Sequence, residues 1–266
     1  MERADRLKGK VVLITGATGG LGEQIAYAAA KRGARVVVTG RRLDRLQEVR
    51  RRCQELSGEL SLAYQLDVTD FAQVKEVLEQ VRREAGPVQV LVNNAGFGLF
   101  AEALETDQAI TEEMFKVNVL SLINLSREVA REMQQAGGGH IINIASQAGK
   151  TATPKSAVYA ATKFAVRGYS NALRLELYPH GIAVTTVNPG PIRTDFFSKA
   201  DADGSYLAKL GRWVLDPVRV AEKIADCMLT GRRELNLPKA MELAYRFYVL
   251  FPRLGDFLTR KLFNWK

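Results

Sequence analysis

The stretch Val11-Val12-Leu13-Ile14-Thr15-Gly16-Ala17-Thr18-Gly19-Gly20-Leu21-Gly22 decides how this chain folds. Its unbroken apolar run, with no polar alternation, reads as a strand buried on both faces. The glycine cluster reads as a tight turn, and helical periodicity over residues 21–32 then runs to Gly33, a helix stop. Glycines at such a turn let an anionic group approach the backbone. The first N–H groups of the helix, and its dipole, favour negative charge there. A dinucleotide pyrophosphate suits this arrangement, held around Gly16, Thr18, Gly20, Leu21 and Gly22. The spacing, Gly-xxx-Gly-x-Gly, differs from the G-x-G-x-x-G fingerprint.

The same alternation continues outward. Val36–Val38, Leu62–Leu66, Val88–Val92, His140–Ile144 and Ile182–Val187 read as strands, and Arg42–Leu56, Thr69–Ala85, residues 110–135 and residues 156–178 as helices. Apolar strands alternating with helices imply an α/β fold: a doubly wound, Rossmann-like parallel sheet in three layers, α/β/α. No linker, repeat or low-complexity segment divides residues 1–266, so one domain is expected. Two segments leave the pattern. Residues 195–217 carry Phe196, Phe197, Tyr206 and Trp213 and read as an excursion near a substrate. Residues 239–266 form a basic, apolar tail that Pro252 divides into short helices.

Composition narrows the function. The chain has 266 residues, 47% hydrophobic and 25% charged, so it can bury a full core. Its formal net charge of +9 is spread along the sequence. The densest run, Arg50-Arg51-Arg52, lies between Glu48 and Glu55 and reads as a solvated helix face, so nucleic acid is not an expected partner. Two distant cysteines, Cys53 and Cys227, and two histidines, His140 and His180, give no metal-ligand spacing, and no metal is expected. Free thiols, a polar N-terminus and the lack of an eighteen-residue apolar run point to a cytoplasmic location. The tail has six basic residues against two acidic, close to half of the net charge. Packing on a partner subunit or over a pocket is favoured for it, ahead of peripheral membrane contact.

Chemistry enters with Ser146, Tyr159 and Lys163. Tyr159 and Lys163 are four residues apart on a helical stretch, so phenol and ammonium share one face. A phenol titrates near ~10 in water, and a nearby cation brings that value toward the working range. The pair suits adding a proton to an oxygen or removing one. After the second strand, where an NAD site would carry an acid for the ribose hydroxyl, this chain has Arg41 and Arg42. A guanidinium matches a 2′-phosphate, which favours NADP(H); Asp44 nearby leaves NAD(H) as the alternative.

With these pieces in place, the chain resembles the short-chain dehydrogenase/reductase family over about residues 8–235. The motifs stand in the family's order: Thr15-Gly16-xxx-Gly20-x-Gly22, Asp67-Val68, Asn93-Asn94-Ala95-Gly96, Asn118, Ser146, Tyr159-xxx-Lys163 and Pro189-Gly190. Ile144-Ala145-Ser146-Gln147-Ala148-Gly149-Lys150 and the tail also resemble a bacterial oxidoreductase subgroup that fixes no substrate. The resemblance implies that Asp67 and the Val68 backbone hold adenine, and that Asn93, Ala95 and Gly96 line the adenosine ribose side. Ile192 and Thr194, after Pro189-Gly190, would meet the nicotinamide carboxamide. Tyr159 and Lys163 would border the nicotinamide ribose, Lys163 binding its hydroxyls, and Asn118 would anchor a water leading from Lys163 to solvent. Ser146 would polarise a substrate carbonyl and Tyr159 would exchange the proton, with hydride carried by the cofactor.

A reductase of hydrophobic ketones or aldehydes, also able to oxidise alcohols, is therefore expected, as a dimer or tetramer. The competing class is a nucleotide-binding sensor or scaffold without turnover. Phe97, Phe100, Gln147, Phe196, Phe197, Tyr206 and Trp213 are the expected pocket lining. Lys150 and Lys155 read as solvated rather than as hosts for an anionic substrate, and His140 and His180 as structural or solvated.

Overall fold

A computed structural model describes residues 6–151, 153–200 and 211–263. Its centre is one seven-stranded parallel sheet in the order β3-β2-β1-β4-β5-β6-β7. The strands are β1 Val11–Thr15, β2 Arg35–Gly40, β3 Leu62–Gln65, β4 Val90–Asn93, β5 Gly139–Ile144, β6 Ile182–Pro189 and β7 Glu234–Leu237. The register runs Ile14 beside Val38 on one side and Val92 on the other, with Val92 beside Ile142. Successive side chains of a strand face opposite ways. Val12 and Ile14 therefore pack under α1 (Gly20–Ala30), α2 (Leu43–Ser57) and a later helix, Pro217–Cys227, while Val11 and Leu13 pack under α3 (Phe71–Glu84) and α5 (Ser121–Gln135). Both faces of the strand are covered, which is why it reads as an unbroken apolar run.

The helices follow local rules. Asp70 caps α3, accepting from the N–H groups of Ala72 and Gln73, both at 3.0 Å. Val74, Val77, Leu78 and Val81 then bury one face at helical spacing. α2 ends at Gly58 in the left-handed conformation. Arg51 and Arg52 lie on its exposed side, Arg52 paired with Glu55.

Three features depart from the sequence reading. The helix expected over 110–135 is α4 (Gln108–Phe115) and α5, joined by a π-helical turn at Lys116–Leu120 that carries Asn118. α8 (Pro217–Cys227) and β7 have no counterpart in that reading; β7 is four residues long at a sheet edge, with alternating burial. The tail does form two short helices, α9 (Lys239–Leu250) and α10 (Pro252–Phe263), divided at Pro252. α6 (Ala157–Leu177) and the short α7 (Phe196–Ala200) complete the helices used below.

The chain winds from β1 outward to β3, then returns across β1 to β4. A crevice opens at the carboxyl ends of β1 and β4, where the winding direction reverses. The glycine turn, Arg41, Arg42, Asp67, Ser146, Tyr159 and Lys163 lie along that edge.

Candidate active site

One cleft of about 1430 Å³ runs along the carboxyl edge of the sheet. It begins at Gly40, Arg41 and Arg42, passes the glycine turn, reaches Ser146, Tyr159 and Lys163, and ends under α9 and α10.

The turn after β1 is built for close approach. Gly16 adopts φ 65°, and a Cβ there would lie 2.8 Å from the Ala95 Cα. A Cβ on Gly22 would fall on the Gly16 carbonyl oxygen. Thr15 and Asn94 hold the turn. The Thr15 hydroxyl accepts from the N–H groups of Asn94 and Ala95, both at 3.0 Å, and the Asn94 amide donates to the carbonyls of Thr15 and Gly16 at 2.9 and 3.1 Å. These two residues tie the ends of β1 and β4 together. Nothing local in the sequence marks either residue for this role; two strands joined at a switch point need a polar tie, and Thr15 and Asn94 are polar residues at those two ends.

Asn93 requires a correction. The family resemblance places it on the adenosine ribose side, yet its amide is buried and donates to the Ser126 hydroxyl at 2.9 Å and to Asn143 Oδ1 at 2.8 Å. Asn143 in turn donates to Ser170 Oγ at 2.9 Å. The strand pleat turns Asn93 into this network between β4, β5, α5 and α6 and leaves Asn94 on the cleft.

At the cleft's outer end, Arg42 donates to the Thr18 carbonyl and hydroxyl, both at 3.2 Å, and stands exposed beside Gly19. Arg41 is exposed too. Asp67 accepts from the N–H and hydroxyl of Thr69 at 2.9 and 2.8 Å, and the backbone bond, ahead of a partly opposing burial, holds its carboxyl below the ordinary range. Val68, Gly96, Pro189, Gly190, Ile192 and Thr194 also line the cleft. Thr194 lies opposite Gly20: a Cβ built on that glycine would be 3.4 Å from it. The cleft's glycine-walled cradle, exposed arginines and length suit a dinucleotide.

The inner end holds Ser146, Tyr159 and Lys163. Tyr159, on α6, is 8% exposed and packs edge-on against Phe100, ring centroids 6.0 Å apart, and obliquely against Phe196 at 5.7 Å. Lys163, one turn on, is buried; its Nζ donates to the Ile144 carbonyl at 3.0 Å and lies 5.7 Å from the Tyr159 ring centroid. Among the described residues it has no carboxylate partner, and burial pushes its pKa down to about 8. Ser146 follows β5 and its hydroxyl accepts from the Ala148 N–H at 3.0 Å, which orients it at the cleft wall.

Asn118 is 1% exposed. Its amide donates to the Phe97 carbonyl at 2.8 Å and to Thr162 Oγ1 at 3.1 Å, while its Oδ1 accepts from the Phe97 N–H at 2.9 Å. Both amide hydrogens are therefore taken, and the side chain clamps the Gly96–Phe97 segment to α6. A water held by Asn118 cannot use those hydrogens.

Of the expected pocket lining, Phe97, Phe100, Gln147, Phe196 and Phe197 border the cleft. Trp213 is exposed and is not among the lining residues, and Tyr206 lies outside the described residues. Lys150 requires the second correction. It is buried, not solvated, and its Nζ meets Glu234 at 2.8 Å and Glu242 at 2.6 Å. The Tyr245 ring covers it at 5.0 Å. Lys155 is exposed as expected. His140 is buried in the core: its Nδ1 accepts from the Leu229 N–H and its Nε2 meets Thr185 Oγ1, both at 2.8 Å, and burial lowers its pKa to about 4.

A nucleotide-sized cleft at the switch point of a parallel sheet, with a tyrosine–lysine pair at its inner end, defines an oxidoreductase of the Rossmann class. The family model for short chain dehydrogenases matches residues 10–204. An uncharacterised oxidoreductase of Staphylococcus saprophyticus is 36% identical over 216 residues, 81% of this chain and 89% of that protein. The glycine betaine reductase of Emericella nidulans is 36% identical over 221 residues; the match spans 82% of this chain and 17% of that longer protein. A short-chain dehydrogenase of Sphingobium yanoikuyae, solved with NADPH, superimposes with a TM-score of 0.80 at 28% identity, covering 94% of this chain and 95% of that one. The chain belongs to the short-chain dehydrogenase/reductase family.

Proposed function

We propose that this protein is an NADP(H)-dependent oxidoreductase that interconverts an apolar ketone or aldehyde with its alcohol. The observation that carries the reading is a single cleft holding both the glycine cradle and the buried Tyr159–Lys163 pair. When bound, the nicotinamide cofactor supplies or accepts the hydride.

The chain's own residues do the rest. The turn from Gly16 to Gly22, with Thr18 and Leu21, receives the pyrophosphate at the start of α1. Asp67, Val68, Ala95 and Gly96 border the adenosine, and Pro189, Gly190, Ile192 and Thr194 the nicotinamide. Arg41 and Arg42 recognise a 2′-phosphate, a preference that the exposed Arg42 guanidinium beside Gly19 supports. Ser146 donates its hydroxyl proton in a hydrogen bond to the substrate oxygen. Tyr159 transfers its phenolic proton to that oxygen in reduction and takes it back in oxidation. Lys163 stabilises the phenolate because it is a buried cation close to the ring. Phe97, Phe100, Phe196 and Phe197 exclude water and select an apolar substrate. Exposed Leu120 and Phe164 support a homo-oligomer formed through the π-helical turn and α6.

The test is oxidation of NADPH and of NADH against a panel of apolar ketones and aldehydes. Turnover with NADPH, lost in Tyr159→Phe while NADPH binding persists, is the expected result. NADPH binding without turnover of any carbonyl by the wild type would instead make the protein a nucleotide sensor.

A further inference from the structure

The tail is an αα hairpin with an unusual exterior. Along α9, Leu243, Phe247 and Leu250 recur at helical spacing, and along α10 Leu254, Phe257 and Leu258 do the same. All six are exposed, and among the described residues of both helices only Gly255 is fully buried. The half-buried side of α9 is instead Met241, Glu242, Tyr245 and Tyr248, turned toward the body. At the tip, between the helices, stand Val249, Leu250 and Phe251, at 57%, 73% and 53% exposure. Leu243, Phe247 and Leu258 also border the cleft, so apolar surface runs from the cleft mouth to the tip.

Charge identifies what this surface meets. Lys239, Arg246, Arg253, Arg260 and Lys261 flank it and are exposed. The segment's two acids are engaged elsewhere: Glu242 with Lys150 and Arg246, and Asp256 with the Tyr248 hydroxyl at 2.6 Å. A second copy docking tip to tip would bring the same cations together with no acid left to answer them. Each helix has twelve residues, about 18 Å, too short to span a bilayer core of about 30 Å. An apolar face rimmed by arginine and lysine at that length lies in the plane of an anionic interface.

We infer that the hairpin Lys239–Phe263 is a docking surface for an anionic lipid bilayer, with Val249, Leu250 and Phe251 entering the headgroup–acyl boundary. This inference is independent of the reaction proposed above.

The experiment is co-sedimentation of the full chain with vesicles of phosphatidylcholine alone or mixed with phosphatidylserine. The protein should sediment with the mixed vesicles, weakly with the neutral ones, and at least severalfold less in high salt. Leu250→Asp with Phe251→Asp should reduce recovery about tenfold or more while leaving the melting temperature unchanged. Should that pair fail to fold, Arg253→Glu with Arg260→Glu is the second variant, expected to lose the preference for anionic vesicles. Three results would overturn the inference. One is equal recovery with both lipids or with neither, and another is variants that sediment like wild type. The third is a tip variant that converts a lipid-free dimer to a monomer, which assigns the surface to a second copy. None of these outcomes changes NADPH turnover in solution, which tests the reaction separately.

Discussion

Lys150 and Lys163 are both buried cations at the edge of the same cleft, and they are partnered in opposite ways. Lys150 sits between Glu234 and Glu242 under the Tyr245 ring. Lys163 meets only a carbonyl oxygen among the described residues and lies close to the Tyr159 ring. A buried cation matched by two carboxylates is a structural tie: here it joins the segment after Ser146 to β7 and α9. A buried cation left without a counter-charge has its proton loosened and its field directed at whatever lies beside it. Sequence places both lysines near Ser146, yet only their surroundings separate the cation held by two carboxylates from the one that meets a carbonyl oxygen.

The comparison can be broken at four places. The largest effect belongs to the proposed proton donor: Tyr159→Phe should cut kcat for ketone reduction about 10³-fold with NADPH affinity retained, measured by steady-state kinetics and fluorescence titration. Lys163→Met should lower kcat roughly 10²-fold or more, and its stability should reveal the cost of burial. A lysine whose folded pKa is about 8 binds fewer protons than the unfolded chain between about pH 8 and pH 10.5, so this residue destabilises the fold below pH 8 and the penalty fades as pH rises. The wild type should gain up to ~3 kcal/mol relative to Lys163→Met across that window, read by denaturant melts at each pH.

Lys150→Met should act the other way round. It removes the buried cation between Glu234 and Glu242 and leaves only the exposed Arg246 paired with Glu242, which costs about 3 kcal/mol and loosens α9, seen as faster proteolysis of the tail. Glu234 shows the sign. Burial alone would raise its pKa, but bonds from Lys150 and Asn236 outweigh that and hold it below the ordinary value. Its contribution is present above the ordinary glutamate pKa and lost as pH falls through the lowered one, so acid unfolding should be shallower in the variant. The smallest effect lies at the far end of the cleft. Arg42→Ala should raise KM for NADPH about tenfold and leave KM for NADH nearly unchanged.

Much of this was legible in the sequence because it rests on short-range rules. The apolar run Val11–Ile14, the glycines after it and the four-residue step from Tyr159 to Lys163 each fix a strand, a turn or a helix face. What the sequence could not show depends on residues far apart in the chain. Glu234 and Glu242 lie more than eighty positions beyond Lys150 and make it an inside lysine. Asn93 and Asn94 look equivalent as a pair, and only the pleat of β4 sends one to the core and the other to the glycine turn. The π-helical turn at Asn118 has no periodicity signal in a five-residue window. The edge strand Glu234–Leu237 is too short and too polar to stand out from a loop.

The difference between the two lysines is tested most directly by titrating the Lys163 ε-nitrogen, labelled with ¹⁵N and followed by NMR in the full chain, with Lys163→Met used to assign the signal. The account predicts a midpoint near 8. A midpoint at or above ~10.4, the ordinary lysine value, would contradict it: burial would then leave the Lys163 proton as firmly held as that of an exposed lysine.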